Sequence, residues 1–249
     1  MKSASLDATF RTATIGPMDH DIHAIQGEIL KRLLLRETAR FSDLRPKGVA
    51  SDQFSFHVKQ LVERGVVEKN DHGLYLFTAA GKEYANRFDT DSGPVKNEKQ
   101  AKLTVVVIAS HEMGGVREYV MQQRLKQPFF GFCGFITGKI KMGESVLDAG
   151  TRELQEETGL SASVQHNSTY HERIYSPSGE LFEDKYFFVC SAQNATGELV
   201  EEFAGGKNQW VSREEFLSNN IFYDIADLLA LTEAGAPVFS EKSYAVEKY

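Results

Sequence analysis

Residues 138–160, GKIKMGESVLDAGTRELQEETGL, constrain this chain more than any other stretch. Glu144 or Ser145 is a suitable cap for a helix running to about Thr158, and Gly159 can take the left-handed conformation that ends it. Leu147, Thr151 and Leu154 recur at i, i+4 and i+7, the spacing of a core stripe. Opposite that stripe the pattern predicts Glu153, Glu156 and Glu157, so three carboxylates project from about one turn. Like charges at this spacing repel by about a few tenths of a kcal/mol per exposed pair. A hard cation would cancel that repulsion, and magnesium shares its coordination sphere among carboxylates, water and phosphate oxygens. Arg152 can reach Glu156 one turn on or Glu144 two turns back, holding a carboxylate from behind.

This window resembles the signature of the Nudix hydrolase family. Gly138, Glu144, Arg152, Glu153, Leu154, Glu156, Glu157, Gly159 and Leu160 all stand at its constrained offsets. A helix that happened to be acidic on its solvent face would explain neither Gly138, Glu144 nor Gly159. One departure is clear: relatives carry Pro-Gly just before the glycine matching Gly138, and this chain has Ile136-Thr137. The resemblance implies an α/β/α sandwich around a mixed sheet over about residues 101–249, and a Mg2+ or Mn2+ cofactor. It also implies cleavage of the diphosphate linkage of a nucleoside diphosphate derivative, with ADP-ribose, another nucleotide sugar or a nucleoside triphosphate as substrate. Glu153 and Glu157 are then metal ligands with the carbonyl of Gly138. Glu156 is a further ligand or the residue oriented by Arg152, and Glu144 anchors the loop. Catalytic roles fall to Glu153, Glu156 and Arg152, with a general base drawn from Glu201 or Glu202, of which Glu202 is the candidate.

Around the window, LTVVVIAS (103–110) and residues 117–123 read as strands joined by a turn at Gly114 and Gly115. LFEDKYFFVCSA (181–192) and the stretch holding Trp210 and Val211 read as further strands, followed by a helix capped by Ser212 and an apolar helix over Ile225–Leu231. Arg124 and Lys126 precede an aromatic, glycine-dotted stretch and can meet phosphate or stand as surface charges. Phe129, Phe130, Phe132 and Tyr186 can stack on a base or pack in the core. Arg124, Phe132 and Tyr186 are the candidate substrate contacts.

A chain of 249 residues, 41% hydrophobic and 25% charged, has room for two modest domains. Cys133 and Cys190 lie in apolar surroundings, so neither a disulfide framework nor a cysteine-rich zinc site is expected. No apolar run is long enough to span a membrane, which predicts a cytoplasmic protein without membrane partners. The net charge of -7 excludes a surface that is nucleic-acid-binding throughout. It is unevenly divided: residues 19–88 carry 11 basic and 10 acidic side chains, and the remainder 17 and 25. The division suggests an N-terminal lead (1–18), a first domain (19–88), a polar linker (89–100, DTDSGPVKNEKQ) and a second domain (101–249).

Ile22, Ile25, Ile29 and Leu33 predict a first helix over about 21–35, and Phe41, Ser42 and Leu44 a short second one capped by Ser42. Ser51 or Asp52 can cap a third, with Phe54, Val58, Leu61 and Val62 on its buried face and Gly65 at its end. VVEK and LYLF flank Asn70-Asp71-His72-Gly73 as a hairpin, and Thr78 can cap a helix through Phe88. Three helices followed by a hairpin resemble a winged helix-turn-helix domain. That resemblance makes the third helix a recognition helix, with Gln53, Ser55, His57, Lys59, Gln60 and Arg64 free to reach phosphates and base edges. A balance of only +1 attracts DNA weakly, and such domains also serve as dimerisation or docking units. Two functions follow: a hydrolase with an accessory domain, or a DNA-binding regulator whose second domain senses a nucleotide. A homodimer is expected by analogy with both families.

Overall fold

A computed structural model describes residues 22–85, 88–89, 96–97, 99–234 and 236–247. The expected N-terminal lead and most of the expected linker lie outside these. The chain divides into two compact units, Met1–Lys99 and Gln100–Tyr249.

In the first unit, helices α1 (Ala24–Leu34), α2 (Phe41–Leu44) and α3 (Ser51–Glu63) are followed by strands β1 (Val67–Lys69) and β2 (Tyr75–Phe77) and helix α4 (Ala79–Ala85). This is the element order of a winged helix. Ile29, Leu30, Leu33, Leu44, Phe54 and Leu61 form its core, each at most 2% exposed. Complete burial of such side chains stabilises by roughly 1.5–3 kcal/mol each. The hairpin turn is built by Asn70, whose Oδ1 accepts from the N–H groups of His72 and Leu74. Several local expectations change. Arg40, not Ser42, precedes α2, where Asp43 accepts from the Arg40 N–H. Ala50 occupies the N-cap of α3, and Val62 is exposed while His57 takes a buried place. α4 ends at Ala85, and Phe88 belongs to a two-residue strand, β3 (Phe88–Asp89), paired with β4 (Lys96–Asn97). Gly81 lets α4 lie on the preceding chain, since a Cβ there would fall 1.8 Å from the Val66 carbonyl oxygen.

The second unit is an open mixed sheet with helices on both faces. Its elements are β5 (Lys102–Met113), β6 (Val116–Arg124), β7 (Cys133–Gly134), β8 (Ile136–Lys139), α5 (Val146–Thr158), β9 (Val164–Tyr175), β10 (Leu181–Gln193), β11 (Glu202–Phe203), β12 (Gly206–Ser212), α6 (Arg213–Ser218), α7 (Ile225–Glu233) and β13 (Phe239–Ala245). The strand order is β11-β12-β6-β5-β10-β9-β13; β5 runs parallel to β10 and β9 parallel to β13. Strict alternation divides the core. Val105, Val107 and Ala109 meet α5 on one face, while Val106 and Ile108 meet α6 and α7 on the other.

β5 and β6 pair only from Ser110–Tyr119 to Met113–Val116, then part. β8 joins β5 on one side of the fork and β7 joins β6 on the other. The Ile136-Thr137 departure explains part of this arrangement. Without proline, both residues can join the ladder, where they pair with Val107 and Val106, and Ile136 is fully buried. The sequence pattern did not reveal β9 or β13.

Candidate active site

α5 starts where Ser145 Oγ accepts from the Asp148 N–H at 3.1 Å and stops at Gly159, whose φ is 71°. Its buried residues are Ala149, Gly150, Leu154 and Thr158, while Leu147 and Thr151 are exposed. The expected stripe is therefore rotated. Gly150 is the reason: a Cβ there would lie 3.0 Å from Val164 Cγ1, so the glycine lets the helix settle onto the sheet. The rotation separates the glutamates. Glu153 and Glu157 turn toward the sheet and line a cavity at the fork, whereas Glu156 stays in solvent with its side chain 55% exposed.

Arg152 organises the acidic side chains. Its guanidinium donates to Glu144 at 2.6 and 2.9 Å, to Glu153 at 2.6 Å, to Glu156 at 3.1 Å and to the Lys139 carbonyl at 3.1 Å. Glu144 also accepts from the Lys141 N–H at 2.9 Å, which ties the β8–α5 loop to the helix. The Arg152 hydrogen bond, helped by Lys141, holds the Glu144 carboxyl down at about 2. Glu157 has different support. Gln122 Nε2 donates to its carboxylate at 3.0 Å, and Asn208 Nδ2 donates to its backbone carbonyl at 2.8 Å. Burial raises the pKa of Glu157, and the Gln122 hydrogen bond and nearby Lys126 offset this in part.

The cavity has a volume of about 580 Å³, within the usual range for small-ligand sites. Gly138, Glu153, Glu157, Arg124 and Lys126 border it together. Arg124 uses its guanidinium to donate to the carbonyls of Lys126, Gln127 and Pro128, so it shapes the adjoining loop as well as contributing charge. Among the described residues, no three His, Cys, Asp or Glu side chains converge on one metal position. Glu153, Glu157 and Gly138 all border the cavity, and carboxylate and carbonyl oxygens are the hard donors that Mg2+ or Mn2+ takes, with water and phosphate completing the sphere. Gly138 keeps this place open. A Cβ on it would fall 1.9 Å from Glu153 Oε1, so any side chain would displace that carboxylate.

Other candidates lie elsewhere. Glu202 is exposed and pairs with Lys207 at 3.1 Å, outside the cavity lining. Phe132 packs against Phe129 and Phe222 rather than lining the cavity. Tyr186 faces away from it, between the lining residues Lys185 and Phe187, and stacks on His171 at 4.1 Å. In the first unit, Gln53, Ser55 and Lys59 are exposed on α3. His57 is buried and stacks on His23 at 4.3 Å, leaving its Nδ1 without a hydrogen-bond partner. The sequence reading missed Gln122 and Asn208, whose value appears only when β6 and β12 pair beside α5. It also missed a group of charged residues in the cavity lining: Lys102, Glu172, Glu183, Lys185 and Asp224.

An open mixed sheet between helices, with a carboxylate-bearing helix beside a cavity at its fork, defines a class of α/β proteins. The chain belongs to the Nudix family, matching the NUDIX domain over residues 101–231. Similar solved structures include the NUDIX domain of Shewanella oneidensis NrtR complexed with ADP ribose: 19% identity, 63% of this chain, 97% of that chain, TM-score 0.48. The Mutator MutT protein from Bacillus halodurans is 19% identical over 59% of this chain and 93% of its own, with TM-score 0.50, a likeness of fold. A MutT NUDIX hydrolase from Burkholderia pseudomallei is 21% identical over 53% of this chain and 98% of its own, with TM-score 0.44. A search of curated proteins found no match. Among the described residues, no helix is long and apolar enough to cross a membrane.

Proposed function

We propose that the chain hydrolyses the phosphoanhydride linkage of a nucleoside diphosphate derivative, with Mg2+ or Mn2+ held by Glu153, Glu157 and the Gly138 carbonyl. The observation that carries this reading is that these three residues border one cavity together with Arg124 and Lys126. When bound, the divalent cation would reverse the local negative sign, polarise a phosphoryl oxygen and lower the pKa of an attacking water. The side chains supply positioning. Gln122 and Asn208 fix Glu157 from two directions, and Arg152 holds Glu144 and Glu153 in one frame. Arg124 and Lys126 contribute positive charge where a diphosphate would lie. Groups set in advance of substrate arrival need no reorganisation as charge develops.

A phosphate-release screen across ADP-ribose, other nucleotide sugars, dinucleotides and nucleoside triphosphates, with and without Mg2+, tests the reading. Metal-dependent turnover lost in Glu157→Gln is the expected result. Turnover that survives this substitution would remove the ligand assignment, and no turnover of any phosphoanhydride would remove the reaction.

A second reading, that the first unit contacts DNA, is favoured by the exposed side chains of Gln53, Ser55 and Lys59 on the third helix of a winged-helix arrangement, of which Ser55 and Lys59 share a face. Gel-shift measurements at low salt on genomic fragments, with and without ADP-ribose, test it. Absence of retarded DNA would exclude this role, and a nucleotide-dependent shift would join the two functions.

A further inference from the structure

We propose that Asn208 is a positioning residue for the metal site: it takes its orientation from two backbone carbonyls and passes it through Gln122 to the carboxylate of Glu157. The seating of the β10–β11 loop (194–201) thereby presets a metal ligand. The inference deepens the hydrolase reading, and it rests on that reading in treating Glu157 as a ligand of the cation.

The relay begins at the end of α5. The last turn of a helix leaves carbonyls that no N–H of the helix can reach. Glu157 and Thr158 stand in that turn, and both carbonyls find donors elsewhere. Asn208 Nδ2 donates to the Glu157 carbonyl at 2.8 Å, and the Val200 N–H donates to the Thr158 carbonyl at 2.9 Å. Asn208 Nδ2 also donates to the Val200 carbonyl at 2.8 Å, and the Asn208 N–H to the Glu201 carbonyl at 2.8 Å. One residue of β12 therefore ties the helix that carries the glutamate to the loop beside it. At the start of that loop, Ser161 and Thr196 exchange backbone hydrogen bonds of 2.8 and 2.9 Å, so both ends of the loop are pinned around the end of α5.

These contacts decide which way two amides face. Asn208 is 4% exposed, and the two N–H groups of its amide both go to carbonyls. Turned over, it would set Oδ1 against two carbonyl oxygens and leave all three without a donor. Oδ1 therefore points at Gln122, its direct cross-strand partner on β6. That fixes Gln122 in turn. Its Nε2 donates to Asn208 Oδ1 at 3.2 Å and to Glu157 Oε2 at 3.0 Å. The opposite orientation would bring the Gln122 oxygen against another amide oxygen and a carboxylate.

Polarity thus runs one way, from backbone carbonyls through two amides to Glu157 Oε2. Among the described residues, no other side chain hydrogen-bonds this carboxylate, so Oε1 is the oxygen left to offer a cation. The donor is also of the right kind. Arg152 brings a full positive charge to Glu153, whereas Gln122 holds Glu157 through a neutral amide and leaves its negative charge available.

Mn2+ binding to the full chain, followed without substrate by the electron paramagnetic resonance of the free ion, reads the relay apart from turnover. Gln122→Met nearly keeps the side chain's length and removes both donors. It is expected to weaken Mn2+ binding roughly 10- to 100-fold, the loss typical when a metal ligand is deprived of its outer partner. Asn208→Leu should weaken it to a similar degree, and the double variant no further than the worse single one, because the two amides act in series. Affinity in Gln122→Met within about twofold of the unaltered chain, with circular dichroism unchanged, would overturn the proposal. Losses that multiply in the double variant would also overturn it, since they mark two independent contacts. If Asn208→Leu does not fold, Gln122→Met decides alone. Glu157→Gln separates this inference from the reading beneath it. Binding lost in Glu157→Gln but kept in Gln122→Met removes the relay and leaves the ligand assignment standing. Binding undiminished in Glu157→Gln, or absent from the unaltered chain, removes both.

Discussion

α3 and α5 are each thirteen residues long and each buries an apolar stripe, but they treat their polar side chains in opposite ways. On α3, Gln53, Ser55 and Lys59 stand in water, and Lys59 has Glu63 beside it at 3.6 Å. On α5, Glu153 and Glu157 turn inward to a cavity, and burial raises the pKa of Glu157. Polar groups left in water cost little and therefore say little about function. A carboxylate kept in a cavity opposes folding, so its retention points to chemistry.

The largest effect should come from removing an inward charge. Glu157→Gln is expected to reduce metal-dependent hydrolysis by roughly 1000-fold, about 4 kcal/mol of barrier, while the melting temperature holds or rises. Phosphate release beside thermal unfolding measures both. A fall in stability parallel to that in activity would make Glu157 a structural residue and erase the contrast between the helices.

The buried stripes should behave alike. Leu154 on α5 is fully buried and Leu61 on α3 is 2% exposed, and truncation of either to alanine should cost about 2–5 kcal/mol in denaturant unfolding. Trp210, the single tryptophan, lies in the second unit and reports Leu154→Ala by fluorescence; amide exchange reports Leu61→Ala. A cost under about 1 kcal/mol at one site would show that this helix is anchored mainly by other contacts.

Two histidines sharpen the comparison through pH. Burial and the neighbouring His23 lower the pKa of His57, so the unfolded chain takes the proton first and the first unit loses stability as pH falls below about 6.5. His171 is opposite. Burial pushes it down, but hydrogen bonds to Glu241 and Asp184 outweigh that effect and leave its pKa raised. Its contribution is fully present below about 6.5 and is lost as pH rises through the folded value. Unfolding followed separately in each unit between pH 5 and 8 should therefore give slopes of opposite sign. His57→Gln and His171→Gln should each flatten one slope.

The smallest effect is expected on the exposed face of α3. Lys59→Ala should change stability by no more than about 0.5 kcal/mol, because the Lys59–Glu63 pair is solvent-exposed. If α3 meets DNA, the same substitution should weaken binding similarly across sequences and reduce the salt slope by about 1. Discrimination confined to particular base pairs would instead assign Lys59 to base contact.

Much of this contrast could be read in the chain before its structure. Glycines and capping residues set the ends of α5, and apolar spacing indicated both helix-rich segments. The family followed from the offsets of Gly138, Arg152 and the glutamates. The rotation of α5 was hidden because periodicity identifies Leu147 as apolar but does not reveal how closely Gly150 approaches Val164. Glu172 left a fainter signal, a charge at an inward position between Tyr170 and Ile174. Asp224 left none, since only the fold brings the residue before α7 to the cavity that Glu172 also lines. β13 escaped notice because an edge strand exposed along much of its length has neither a continuous apolar run nor clean alternation.

Dissolved salt should treat the charges of this chain unequally. Lys59–Glu63, Lys207–Glu202 and Arg213–Glu233 are solvent-exposed pairs, open to counterions whose screening acts over about 10 Å at 0.1 M. Arg152 is 18% exposed and engages Glu144 through two nitrogens, so direct hydrogen bonds carry much of its attachment. At high ionic strength, any association of Lys59 with a polyanion should weaken before the frame around Glu153 loosens. Concentrated salt would then separate surface association from the geometry of the candidate site without altering a residue.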